Sequence, residues 1–173
     1  RKNSTWSNGT PVTAHDFEYS WKRTLTPETA AEYSYIMADI VGSSTKEIQE
    51  NGVDGVGVKA LDDYTLEVKL NRPVAYFAEL VSFQVFFPQN QAFVESCGDA
   101  YGSAADKQLY NGPFTLTSWK MEDQFTMEKN PNYWDAANVK LNKINTKVVK
   151  DTGAEVSLYE DGQIDRAILS SDY

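Results

Sequence analysis

The chain has 173 residues, 41% of them apolar, which is enough to build a core and too much for a disordered segment. Its 25 acidic and 16 basic residues leave a formal net charge of −9, and the basic residues (Lys22-Arg23, Lys140, Lys143, Lys147, Lys150 among them) are scattered. An acidic chain without a basic run has nothing to neutralise phosphate backbones, so nucleic acid is excluded as a partner.

The first element in the chain is signalled at Val12-Thr13-Ala14-His15-Asp16-Phe17. Thr13 and Asp16 have the spacing of a capping box, and Val12 with Phe17 that of a hydrophobic staple. Phe17, Trp21 and Leu25 then mark one helical face, which must end before Pro27. A second helix is predicted from about Glu28 to Val41, with Tyr33, Met37 and Ile40 on one stripe. Ser44 and Glu47 form another capping box, and Asn51-Gly52 is its stop.

A hairpin follows. Val56, Val58 and Ala60 alternate before Asp62-Asp63, and Leu66, Val68 and Leu70 alternate after it. Pro73 can open a short helix over Val74–Ser82, Val85-Phe86-Phe87 reads as a crossing segment, and Gln91–Cys97 is a short helix stopped by Gly98. A second hairpin is predicted from Phe114–Lys120 and Gln124–Lys129 around Met121-Glu122-Asp123. Asn130-Pro131-Asn132-Tyr133-Trp134 is a turn pinned by burying its rings. Ile144–Val149 is a strand, Thr152 and Glu155 box the start of a helix ending at Asp161-Gly162, and Ile164–Leu169 is a final strand. The order of elements is mixed α/β (α+β), with antiparallel hairpins packed with helices.

Catalytic constellations are sparse. His15 is the one histidine, so any serine–histidine pair must use it, yet it lies in the exposed first turn of a helix. Asp62-Asp63, the adjacent acidic pair in a structured context, is explained by hairpin-turn chemistry. Gly52, Gly55 and Gly57 fit neither phosphate-loop fingerprint. Asn3-Ser4-Thr5 and Asn8-Gly9-Thr10 match a glycosylation sequon of the kind that arises by chance. Cys97 stands alone, which rules out a disulfide framework or a cysteine zinc site within the chain. No apolar run approaches the length of a membrane span, and no signal peptide is visible. Ten tyrosines, each an apolar body with a polar tip, suit a damp binding surface.

Six segments in order carry a family resemblance. They are Trp6-Ser7-Asn8-Gly9-Thr10-Pro11-Val12-Thr13-Ala14-His15-Asp16-Phe17, continued by Tyr19-Ser20-Trp21-Lys22-Arg23; Val58-Lys59-Ala60-Leu61-Asp62-Asp63-Tyr64-Thr65-Leu66-Glu67-Val68; Pro73-Val74-Ala75-Tyr76-Phe77; Asn111-Gly112-Pro113-Phe114; Asn130-Pro131-Asn132-Tyr133-Trp134; and Gly162-Gln163-Ile164-Asp165. Together they resemble the oligopeptide-binding family of ABC-transporter solute receptors, extracellular solute-binding protein family 5. The resemblance implies a fragment of a periplasmic-binding-protein-like fold of the large peptide-binding class. Residues 1–88 would be most of a small inserted domain of the first lobe, incomplete at its N-terminus. Residues 89–173 would be part of the main first-lobe α/β domain, and a second lobe would lie beyond Tyr173.

The resemblance also implies a function: capture of an oligopeptide outside the membrane and delivery to ABC-transporter permease subunits, with no enzymatic step and no cofactor. The peptide would lie extended, held by main-chain hydrogen bonds. Tyr33 matches a cleft-lining tyrosine, with a core tyrosine on the predicted helical stripe as the alternative. Leu169, Ser170 and Ser171 match the segment that pairs with the ligand. The expected location is periplasmic or cell-surface, with peripheral membrane association through a lipid anchor, as a monomer. Receptors for dipeptides, signalling peptides, oligosaccharides or nickel are alternatives within the family, and a glycoside hydrolase fragment is one outside it.

Overall fold

A computed structural model describes residues 1–169. Helix α1 spans Ala14–Leu25. Its first turn is closed by the Asp16 carboxylate, which accepts the Thr13 amide at 2.7 Å and the Thr13 hydroxyl at 3.3 Å. Helix α2 spans Thr45–Asn51 behind the reciprocal box of Ser44 and Glu47, each side chain accepting the other's amide at 3.3 Å. Strands β1 (Val58–Asp62) and β2 (Thr65–Val68) form an antiparallel hairpin whose turn is pinned by Asp62 Oδ1 accepting the Tyr64 amide at 2.8 Å.

Beyond the hairpin the pairing continues. The Gly57 amide donates to the Val41 carbonyl at 2.7 Å, and the Lys69 amide to the Gly57 carbonyl at 2.8 Å. A Cβ at Gly57 would sit 3.0 Å from the Lys69 Cβ and 3.1 Å from the Val41 Cβ, so glycine permits the chains to close there.

One core joins these pieces. Trp21 and Leu25 of α1 and Ile48 of α2 pack with Met37, Ile40, Val56, Val58 and Phe86. The Trp21 ring meets Phe86 edge-on, with centroids 5.0 Å apart, and its indole N–H donates to the Phe86 carbonyl at 2.8 Å.

Glu18 ties α1 to β1. Its carboxylate accepts the Ala60 amide at 2.7 Å and the Lys22 ammonium at 2.8 Å. Burial alone would raise its pKa, but those hydrogen bonds and the charges of Lys22 and His15 hold it below the ordinary glutamate value. The native state therefore binds fewer protons than the unfolded chain, and the stabilisation is present above the unfolded-state pKa and lost as pH falls through the folded one. In urea titrations the chain should exceed its Glu18→Gln variant in stability at neutral pH, and the gap should close in the acidic carboxylate range. A gap that persists into acid counts against this assignment.

The second half is organised differently. Helix α3 is a single turn, Phe77–Leu80, and α4 spans Gln91–Cys97, where the Asn90 side chain accepts the Phe93 amide at 3.0 Å and Gly98 ends the helix at φ 53°. Strands β3 (Phe114–Lys120), β4 (Gln124–Lys129) and β5 (Lys143–Lys147) form an antiparallel sheet in the order β3-β4-β5. Helix α5 spans Thr152–Glu160. The N-terminal loop stitches to this half: the Ser7 amide donates to the Tyr110 carbonyl at 2.6 Å, and the Thr5 hydroxyl to the Asn132 carbonyl at 2.8 Å.

Four local expectations are corrected. Residues 28–41 form no α-helix but two short 3-10 turns, Pro27–Thr29 and Ser34–Met37, with Ala30 left-handed at φ 48°. Met37 and Ile40 are buried as expected, while Ile40 pairs with Leu70 in an isolated bridge that a helix could not supply. Residues 164–169 form no strand; the Ile168 amide is satisfied by the Glu155 side chain at 2.8 Å. That same use of Glu155 removes it from the predicted box, and Asp151 caps α5 by accepting the Ala154 amide at 2.8 Å. At the 130–134 turn the rings are not the pin, since Trp134 stays 37% exposed; the fully buried residue is Asn130, whose amide donates to the Gly112 carbonyl at 2.9 Å.

Candidate ligand-binding surface

Tyr33 sits just before the 3-10 turn Ser34–Met37 and outside the buried stripe that holds Met37 and Ile40. It is 41% exposed. Its ring meets Phe83 edge-on with centroids 5.5 Å apart, and lies tilted against Tyr35 at 6.2 Å. Tyr35 and Phe83 are themselves exposed, so the three rings form an open shelf. Aromatic faces of this kind give large contact area with little conformational entropy to lose.

The turn that follows Tyr33 is anchored in the core and clamped at its side. Met37, at the end of that turn, lies in the core with Phe86, and Phe77 of α3 packs edge-on to Phe86 at 6.3 Å. At the side, Arg72 Nε donates to Asp39 Oδ1 at 2.9 Å, and the Tyr76 hydroxyl donates to Asp39 Oδ2 at 3.2 Å. Hydrogen bonding to Asp39, with its charge, raises the Arg72 pKa, so the guanidinium stays charged. Asn71 adds two bonds, its side-chain amide donating to the Ala38 and Ile40 carbonyls at 3.2 Å each. This clamp fastens the segment carrying Tyr33 and Tyr35 to the one leading into Phe83.

Leu169 is described and exposed, at the end of the segment that Glu155 tethers through Ile168. Ser170 and Ser171 lie outside the described residues. The three-stranded sheet offers a second kind of surface: among the described residues neither β3 nor β5 has a strand on its outer side. A bare edge presents alternating amides and carbonyls that an extended chain can pair with.

The residues considered for catalysis do not converge. His15 Nε2 lies 3.6 Å from Asp63 Oδ1, with both side chains more than 60% exposed. Asp62 and Asp63 are both exposed at the hairpin tip. Hydrogen bonds, first from the Tyr64 amide and then from Thr65, lower the Asp62 pKa, which marks a turn anchor. Of the candidate glycosidase pair only Asp63 lines a cleft, beside Arg1, Thr13 and Tyr64, so the two carboxylates do not face one together. Among the described residues no three His, Cys, Asp or Glu side chains gather to hold a metal ion, and no helix is long and apolar enough to cross a membrane. The arrangement offers stacking faces and backbone pairing, which are tools of binding.

Comparison with known proteins identifies the family. The family described as "Bacterial extracellular solute-binding proteins, family 5 Middle" matches residues 1–172. The oligopeptide-binding protein OppA of Bacillus subtilis is 40% identical over 162 residues, covering 94% of this chain and 30% of that protein. The dipeptide-binding protein DppE of the same organism is 39% identical over 172 residues, covering 99% of this chain and 32% of that protein. Among solved structures, that of Listeria monocytogenes OppA bound to peptide superposes with a TM-score of 0.92 at 44% identity, over 100% of this chain and 34% of the other. The chain thus spans about a third of the length of the proteins it matches.

Proposed function

The chain belongs to family 5 of the bacterial extracellular solute-binding proteins, and on that premise we propose that it forms one face of a receptor that captures oligopeptides outside the cytoplasmic membrane and delivers them to an ABC-transporter permease. It acts by binding and not as an enzyme. The observation that carries this reading is the solvent-facing Tyr33, fastened to Phe83 and Tyr35 where a core tyrosine would have been sealed away. The relatives named for oligopeptide and dipeptide binding, and the Listeria structure with a peptide bound, support peptide as the ligand class.

In this reading residues 1–88 serve as the small inserted domain and residues 89–173 as part of the main domain of a first lobe. Tyr33 lines the cleft, Leu169 with Ser170 and Ser171 pairs with the peptide backbone, and a second lobe closes over the ligand. The receptor works as a monomer at the cell surface or in the periplasm, held to the membrane peripherally by a lipid anchor.

Calorimetry tests it. The 173-residue chain alone should show no tight binding of short peptides, because half the contacts are absent. The same sequence within a receptor of its relatives' length should bind them, and Tyr33→Ala there should weaken binding by about 3- to 10-fold, the worth of one aromatic contact. Nanomolar binding by the isolated chain overturns the two-lobe reading.

A further inference from the structure

A cleft lies between the end of α1 and the start of α2, and of the side chains that line it the peptide reading uses only the Tyr35 ring. Its volume is about 440 Å³, within the range of roughly 300–1,000 Å³ typical of small-molecule sites. Leu25, Ala31, Ala38 and Ile48 supply apolar wall, and Tyr35 adds a ring that is 68% exposed. Among the described residues no charged side chain lines it.

Ser43 also lines the cleft, and it is 7% exposed. Its hydroxyl oxygen is the one buried side-chain nitrogen or oxygen without a hydrogen-bond partner among the described residues. Such groups are rare in folded proteins, since an unpaired buried hydroxyl has lost water and gained nothing. The loop cannot relieve this by swinging outward easily. Gly42 is left-handed at φ 74°, and a Cβ there would collide with the Gly55 carbonyl, so this stretch is pressed against residues 55 and 56.

These observations select a ligand chemistry. A charged guest would shed water and meet no counter-charge. A wholly apolar guest would leave the Ser43 hydroxyl unpaired. We propose that the cleft binds a small uncharged molecule with an apolar body and one hydrogen-bonding oxygen, the body resting on Leu25, Ile48 and the Tyr35 ring and the oxygen pairing with Ser43. The hydroxyl is shielded from solvent in the empty cleft, so pairing with a guest requires the Ser43 side chain to turn toward it.

Phenol, toluene and benzoate separate the cases. Each is titrated into the isotope-labelled 173-residue chain, and amide shifts at Ala38, Ser43 and Ile48 are followed. Phenol should saturate, toluene should bind about tenfold more weakly for want of the oxygen, and benzoate should leave these amides unmoved. Ser43→Ala should reduce phenol to the affinity of toluene and leave toluene unchanged. Because Ser43 has no partner to lose, this variant should fold. Ala38→Leu, which fills the cleft from an exposed position, should block phenol while the rest of the spectrum stays in place. No saturation with phenol, toluene binding as well as phenol, or an unaltered phenol affinity in Ser43→Ala each overturns the proposal.

Discussion

Replacing Trp21 by alanine is expected to lower the unfolding free energy by about 3–5 kcal/mol, a large share of the roughly 5–15 kcal/mol that a domain has in all. Trp21 is 3% exposed and belongs to the buried hydrophobic cluster. From α1 it reaches the Phe86 ring edge-on at 5.0 Å and donates its indole N–H to the Phe86 carbonyl at 2.8 Å. Alanine removes the ring, leaves a cavity between α1 and the 84–86 turn, and strands a buried carbonyl. Trp21→Phe separates these losses: it keeps an aromatic edge but not the donor, and should cost about 1–3 kcal/mol. Urea unfolding followed by far-UV circular dichroism reads both. A cost under about 1 kcal/mol for Trp21→Ala would mean the core does not close around this ring.

The effect should reach the ligand surface as well. Phe86 supports Phe77 of α3, and the chain runs on through α3 to Phe83, the ring that meets Tyr33. Loosening Phe86 should therefore also loosen the segment that carries Phe83. In the clamp Arg72 and Tyr76 are exposed while the Asp39 side chain is only 17% exposed, and solvent screening on the Arg72 side keeps the contribution to stability small.

How much of this was legible in the sequence depended on how local the signal was. The boxes Thr13/Asp16 and Ser44/Glu47 are three-residue patterns, and both helices start where those patterns place them. The β3–β4 hairpin ran from Phe114 to Lys129 as its alternation required, because each strand's partner lies a turn away. Residues 28–41 misled for the opposite reason. Glu28, Ala30, Ala31 and Glu32 favour a helix locally, yet Ile40 is claimed by Leu70, thirty residues on, and the intervening chain is wound into short turns to deliver it. Ile164 and Ile168 suit a strand, but no strand lies alongside residues 164–169 among the described residues. For the site, Tyr33 was indicated by family resemblance and not by its spacing, which pointed into the core. Phe83, Asp39 and Arg72 had no signal at all, since nothing local announces a ring or carboxylate met across dozens of residues. Ser43 was hidden in the same way: only the fold shows that its hydroxyl has no partner.

Asp16→Ala is the second large loss, about 2–4 kcal/mol when the missing helix cap is added to a stranded donor. Three groups converge on one oxygen of this buried carboxylate: the Thr13 amide at 2.7 Å, the Thr13 hydroxyl at 3.3 Å and the Trp6 indole N–H at 3.3 Å. Trp6 is 2% exposed, so its N–H has no water to turn to. Through that bond the N-terminal loop, which also binds residues 110 and 132, is locked onto the first turn of α1. Asp16→Asn is the informative companion. Its amide oxygen can take the place of Oδ2 and accept from all three donors, so only the charge is lost, at about 1 kcal/mol or less. If the carboxylate acted mainly by its charge at the helix N-terminus, both variants would fall together. If it acts as a buried acceptor, asparagine keeps most of the stability and alanine loses it, and the Trp6 indole proton should exchange faster with solvent in the alanine variant alone. Equal urea midpoints for the two variants would remove Asp16 from the joint between the loop and the helix.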